Sequence, residues 1–67
     1  MTRLLREKAS GLYYKGANAW TADKRKALHF KDNAEALACG RALKRPTLEL
    51  IFAFARTDRD VAFPLDL

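Results

Sequence analysis

One cysteine and one histidine are all this chain offers as soft metal ligands or redox groups. A lone Cys39 excludes an internal disulfide. With only His29 beside it, the Cys and His ligands of an ordinary zinc site cannot be assembled from a single chain. Long apolar runs are also missing. The longest, Leu50 to Ala55, falls far short of the ~20 residues that span a bilayer. Met1 to Lys8 alternates charge with leucine where a signal peptide has an apolar stretch. These absences point to the cytoplasm and away from membranes. No Pro/Gly/Ser-rich linker, repeat or low-complexity stretch divides the sequence, so residues 1–67 read as a single small domain.

What is present suffices for a small core. The sequence is 49% apolar and 10% aromatic, too apolar for a disordered tail. Small domains often supplement their core with disulfides, metals or oligomerisation. With the first two excluded, a well-packed monomer or self-association remains. The 13 basic and 8 acidic residues leave a formal charge of +5, which favours anionic partners but equally keeps a small domain soluble.

The alternation and turn signals predict mostly extended structure around one helix. Arg3 to Lys8 reads as a first strand with Leu4 and Leu5 as its apolar part. Ser10 and Gly11 are turn residues, and the tyrosine-rich Leu12 to Lys15 follows as a second strand. Gly16, Ala17 and Asn18 break the pattern. Ala19 to Thr21 is a short extended piece around Trp20, and Thr21 is suited to cap a turn through Ala22, Asp23 and Lys24. Ala27 to Lys31 alternates, with Leu28 and Phe30 on one side and Ala27, His29 and Lys31 on the other, which predicts a half-buried strand.

Asp32 begins the clearest element. Glu35 follows at the capping-box spacing, and both carboxylates suit the positive end of a helix dipole. The helix is expected over 33–44, with Lys44 and Arg45 at its negative end and Pro46 as its stop. At 100° per residue Ala36, Leu37, Gly40 and Leu43 share the packing face, and Gly40 predicts close approach to the sheet. Thr47 to Ala55 is the best strand. Leu48, Leu50, Phe52 and Phe54 form a core face, and the mostly apolar set Glu49, Ile51, Ala53 and Ala55 predicts a central position. Thr57, Asp58, Arg59 and Asp60 read as a turn. Val61 to Leu65 reads as a last strand, placed at an edge by Pro64.

The expected fold is therefore α+β: a two-layer structure with a mostly antiparallel sheet of about five short strands and one helix on one face, in the order β-β-β-α-β-β. A single helix covers one face, so the other, carrying Ile51, Ala53, Tyr13 and Tyr14, is the expected protein interface.

Nothing in the sequence assembles a catalytic constellation. His29 lacks a nucleophile or an orienting partner in any motif. Cys39 reads as a structural thiol, Asp32 and Glu35 as caps, and Asp58 and Asp60 as turn residues too few in oxygen ligands for calcium. The expectation is no enzyme, no metal and no cofactor. The sharpest charge cluster is Lys24, Arg25 and Lys26, close in sequence to Trp20. Cations beside aromatic rings are what single-stranded nucleic acid uses.

From Tyr13 onward the chain also resembles small bacterial proteins of unknown function. Tyr13, Tyr14, Lys15 and Gly16 match their aromatic-glycine strand. Trp20, Thr21 and Asp23 match a W-T-x-D turn, Ala27 and Phe30 an A-x-x-F strand, and an alanine-rich helix follows. The resemblance, running to about Phe54, implies a bacterial cytoplasmic protein and supplies no activity. The functional expectation is a non-catalytic protein-interaction or self-associating module. Its alternative is a basic nucleic-acid-binding domain using Lys24 to Lys26 and nearby aromatics.

Overall fold

In the computed structural model, which describes residues 2–45, 47–54 and 60–65, the strands are β1 (Thr2–Glu7), β2 (Tyr13–Gly16), β3 (Ala19–Thr21), β4 (Leu48–Ala53) and β5 (Val61–Pro64). One helix, α1 (Asn33–Leu43), and one 3-10 turn (Lys24–Lys26) complete them. The fold is the expected small α+β domain: a five-stranded antiparallel sheet and one helix, in chain order β-β-β-α-β-β. Across the sheet the order is β3-β2-β1-β4-β5. Pro46, Ala55 at the end of the expected strand, and Thr57, Asp58 and Arg59 of the expected turn lie outside the described residues.

The centre of the sheet is an unbroken antiparallel ladder between β1 and β4, running from Thr2 opposite Ala53 to Glu7 opposite Leu48. Leu4 and Leu5 are both fully buried although neighbours in a strand point to opposite faces. Two apolar clusters result. On one face Leu5, Tyr14, Phe30, Ala36 and Leu50 pack together, joined by Trp20, Cys39, Leu43, Phe52 and Leu65. On the other, Leu4, Ala27 and Ile51 pack together, joined by Tyr13 and Ala53.

The segment 27–30 makes this two-sided burial work. It was expected as a regular strand with Leu28 and Phe30 inward and Ala27 outward. Instead it forms a single antiparallel bridge, Arg3 with Phe30, and Leu28 is 39% exposed while Ala27 is buried. β1 and β2 pair at Arg6 and Tyr13, and beyond that point this segment joins them. The Leu28 N–H donates to the Tyr14 carbonyl (2.9 Å) and the Phe30 N–H to the Arg3 carbonyl (2.9 Å). Ala27 therefore closes one face and Phe30 the other, as alternation expects of residues three apart; what alternation does not give is that the Ala27 side is covered while Leu28, on the Phe30 side, stays exposed.

Helix α1 starts as anticipated. The Asp32 carboxylate accepts the Glu35 N–H (2.8 Å), which stabilises the first turn. The reciprocal bond of a full capping box, in which the Asp32 N–H would donate to the Glu35 carboxylate, does not form. The helix ends one residue earlier than expected, with Lys44 in the left-handed region at φ 53°. Its packing face is turned slightly from the expected one. Ala36 and Gly40 are buried and Cys39 and Leu43 join the core cluster, while Leu37 is half-buried outside it.

Arginines hold the helix at both ends. Near its start, Arg3 Nε donates to the Asn33 side-chain oxygen (2.6 Å). Just past its end, Arg45 pairs with Glu7 (2.8 Å). Arg3 and Glu7 lie at opposite ends of β1, so the helix runs alongside that strand in the same direction.

The β2–β3 hairpin closes through Ala17 (φ 53°) and Asn18 (φ 59°), with Gly16 opposite Ala19. Two successive left-handed residues make the tight turn whose twist suits a hairpin, a geometry that Asn-Gly adopts best and alanine poorly. The Tyr14 hydroxyl accepts the Asn18 N–H (3.3 Å) and helps hold the turn. Replacing Ala17→Asn together with Asn18→Gly should stabilise the protein by about 1 kcal/mol, raising Tm by roughly 4–8 °C. Thermal unfolding followed by circular dichroism measures it.

Candidate interaction surfaces

No three His, Cys, Asp or Glu side chains gather into a group suited to hold a metal ion among the described residues, and no described helix is long and apolar enough to cross a membrane. His29 is exposed. Cys39 is half-buried under the helix, and burial, followed by the nearby Glu35 carboxylate, pushes its thiol above the ordinary value. That is the reverse of what an activated thiolate needs.

The basic triplet Lys24, Arg25 and Lys26 forms the 3-10 turn. Its geometry follows from two successive side-chain caps. The Thr21 hydroxyl accepts the Asp23 N–H (3.1 Å), and the Asp23 carboxylate accepts the Arg25 N–H (2.9 Å). The backbone N–H of Arg25, followed by its guanidinium, holds the Asp23 carboxyl below its ordinary value. The W-T-x-D sequence is thus a turn-building device, and A-x-x-F supplies the two side chains that close opposite faces of the sheet. Lys24 also pairs with Asp60 (2.8 Å), which joins the turn to the start of β5.

Trp20 is engaged on the helix side of the sheet. It packs on the helix-side cluster, with its ring edge to face with Tyr14 (centroids 5.2 Å apart) and the Arg45 guanidinium 4.9 Å from its centroid. Ala27, directly after the triplet, joins the opposite cluster. The aromatic partner that sequence proximity suggested for Lys24 to Lys26 is engaged by a cation 25 positions away in sequence. Only the tertiary fold reveals that pairing.

The residues expected to form a protein interface are likewise divided. Tyr14 (8% exposed) belongs to the helix-side cluster, and Ile51 (0%) to the opposite one. Tyr13 and Ala53 are half-buried at the margin of that second cluster. The second face is covered over Leu4 and Ile51 by Ala27 and is not a bare apolar surface. Beside that cluster a row crosses all five strands in register, Thr21, Tyr13, Arg6, Glu49 and Pro64, with the Arg6–Glu49 pair at its centre. There Arg6 donates from Nε (3.0 Å) and from a terminal nitrogen (2.7 Å) to one Glu49 carboxylate oxygen, with its guanidinium 5.9 Å from the Tyr13 ring centroid. Glu49 raises the Arg6 guanidinium further above its already high value.

Exposed apolar surface lies elsewhere. Helix α1 packs over β1 and β4, and every residue of β5 is exposed. Phe63 is 51% and Val61 42% exposed, on the helix side of the sheet by their register with Leu50 and Phe52. Phe54, expected in the core, is 42% exposed just past the end of β4. Phe63 meets Phe52 edge to face, with centroids 5.4 Å apart. The sequence marked β5 as an edge strand through Pro64, and the width of the helix decides that its inner face stays open. Comparisons with family models, curated proteins and solved structures return no match.

The Arg6–Glu49 pair is the most buried charge on the second face, with side chains 29% and 10% exposed. Removing one partner leaves the other poorly solvated, whereas removing both does not. Arg6→Ala should cost about 2 kcal/mol, and Arg6→Met combined with Glu49→Leu should recover most of it. Urea unfolding of the three proteins reads both values.

Proposed function

We propose that this chain is a non-catalytic binding module that associates with a second copy of itself through the apolar strip on β5. The carrying observation is the exposure of Phe63 and Val61 on β5, every residue of which is exposed, with Phe54 exposed just past the end of β4. A second copy brings the same strip, so each exposed ring finds apolar surface without a specialised partner. The outer edge of the strand favours contact through its face over simple strand addition. The Leu65 N–H donates inward to Leu48 (3.0 Å), which by alternation turns Ala62 and Pro64 outward, and Pro64 has no N–H to offer there.

The association is weak. The strip presents roughly 250 Å² per chain, about a third of what each partner of a stable complex contributes. Self-association supplies burial to a chain with neither an internal disulfide nor a metal-ligand set, and a reducing bacterial cytoplasm suits the free Cys39 thiol. Sedimentation equilibrium from about 10 μM to about 1 mM tests the reading, with dimer expected to appear above roughly 100 μM. Phe63→Glu should stay monomeric over the same range with an unchanged circular dichroism spectrum. A wild-type chain monomeric throughout, or a Phe63→Glu variant that associates equally well, contradicts it.

A further inference from the structure

At the end of the sheet where α1 stops, two connections bring cations together. The Lys8 N–H donates to the Thr47 carbonyl (2.8 Å), joining the turn after β1 to the segment leading into β4. The same segment carries Lys44 and Arg45, and Arg41 lies in the last turn of the helix. All four side chains are exposed. The acid among them is Glu7, which accepts from Arg45 (2.8 Å) and from the Ser10 hydroxyl (2.9 Å). Attraction to the helix dipole accounts for Arg41, Lys44 and Arg45. It accounts neither for Lys8 nor for the stacking of Arg45 on Trp20.

That stack is the second feature of this end. The Arg45 guanidinium lies 4.9 Å from the Trp20 centroid, fixed laterally by Glu7, and its side chain remains 45% exposed. A guanidinium held over an indole presents a planar cationic surface to solvent, and unpaired bases stack on aromatic rings and on guanidinium planes alike.

We propose that this basic end, Lys8, Arg41, Lys44 and Arg45 with Trp20 beneath, binds single-stranded nucleic acid. The cations meet successive phosphates, and one base stacks on the Arg45–Trp20 pair. Trp20 sits on β3, at the opposite edge of the sheet from β5, so the proposal is independent of self-association. It also differs from a site at Lys24 to Lys26, whose first two cations face Asp60 and Asp23. An acidic peptide matches the charges, but a nucleic-acid strand carries a planar ring beside every phosphate, which is why nucleic acid is the better fit.

Fluorescence anisotropy with labelled single-stranded DNA and RNA 12-mers at low salt tests it, using the full chain. Micromolar binding is expected, with a log–log salt slope of about −2 to −3 for three or four phosphate contacts. Trp20 fluorescence should change on binding. Arg45→Ala should weaken binding about tenfold through the lost stack. Because Arg45 also anchors the helix, the double variant Lys8→Glu, Lys44→Glu provides a second test at exposed positions and should abolish binding with an unchanged circular dichroism spectrum. Lys26→Glu should weaken it much less. Absence of binding at low salt overturns the proposal, as does equal loss with Lys26→Glu. So does equal affinity for a duplex with Trp20 unperturbed, or displacement by polyglutamate as readily as by unlabelled strand.

Discussion

Leu4 and Leu5 are adjacent in the central strand, and neither is reached by solvent. In extended backbone they point to opposite faces, so both faces of the β1–β4 ladder must be covered by a chain that forms one helix. Much of the remaining architecture answers this demand. The helix covers the Leu5 face through Ala36, Cys39, Gly40 and Leu43. The Leu4 face is closed by the connection that precedes the helix, which sets Ala27 against Leu4 and Ile51 and, three residues on, places Phe30 on the helix side. The Thr21 and Asp23 caps and the Lys24–Asp60 pair hold that connection in place.

The same demand shapes the surface. Because burial is concentrated on β1 and β4, the strands at the two edges carry what is left over. At one edge, β5 exposes Phe63 and Val61 beyond the helix. At the other, Trp20 is half-covered by Arg45, whose ion pair with Glu7 fastens the end of the helix to the end of β1. Charge follows a similar logic. Asp23, Glu49 and Asp60 are engaged by cations near them, so the excess basic charge appears on side chains such as Lys8, Arg41 and Lys44, which face solvent. The two proposed contact surfaces are thus by-products of how a small chain distributes a small core.

Elements governed by local rules were legible in the sequence. Asp32 fixes the start of the helix through its own side chain, and Pro64 marks an edge strand because it lacks a donor. The two-sided apolar pattern of Leu48 to Ala53 correctly implied an interior position. What depends on tertiary partners was not legible. Residues 27–30 alternate like a strand and place Ala27 opposite Phe30 as expected, yet only their pairing with β1 and β2 shows that the Ala27 side is covered and Leu28 is not. The pairing of Trp20 with Arg45 depends on where the helix ends in space. The supposed bare face around Ile51 is covered by Ala27, whose small apolar side chain gave no signal of its importance.

Closure of the second face by Ala27 is the central structural claim, and it assigns opposite fates to neighbouring residues. Ala27→Asp places a charge between Leu4 and Ile51 and should cost about 3 kcal/mol or more, whereas Leu28→Asp, at a position 39% exposed, should cost under about 0.5 kcal/mol. Urea unfolding of the two variants beside the parent chain measures both. That order supports closure of the second face by this connection. The reverse order, with Leu28→Asp the more damaging, would mean that Leu28 and not Ala27 is the buried side chain and that the second face is closed by something else.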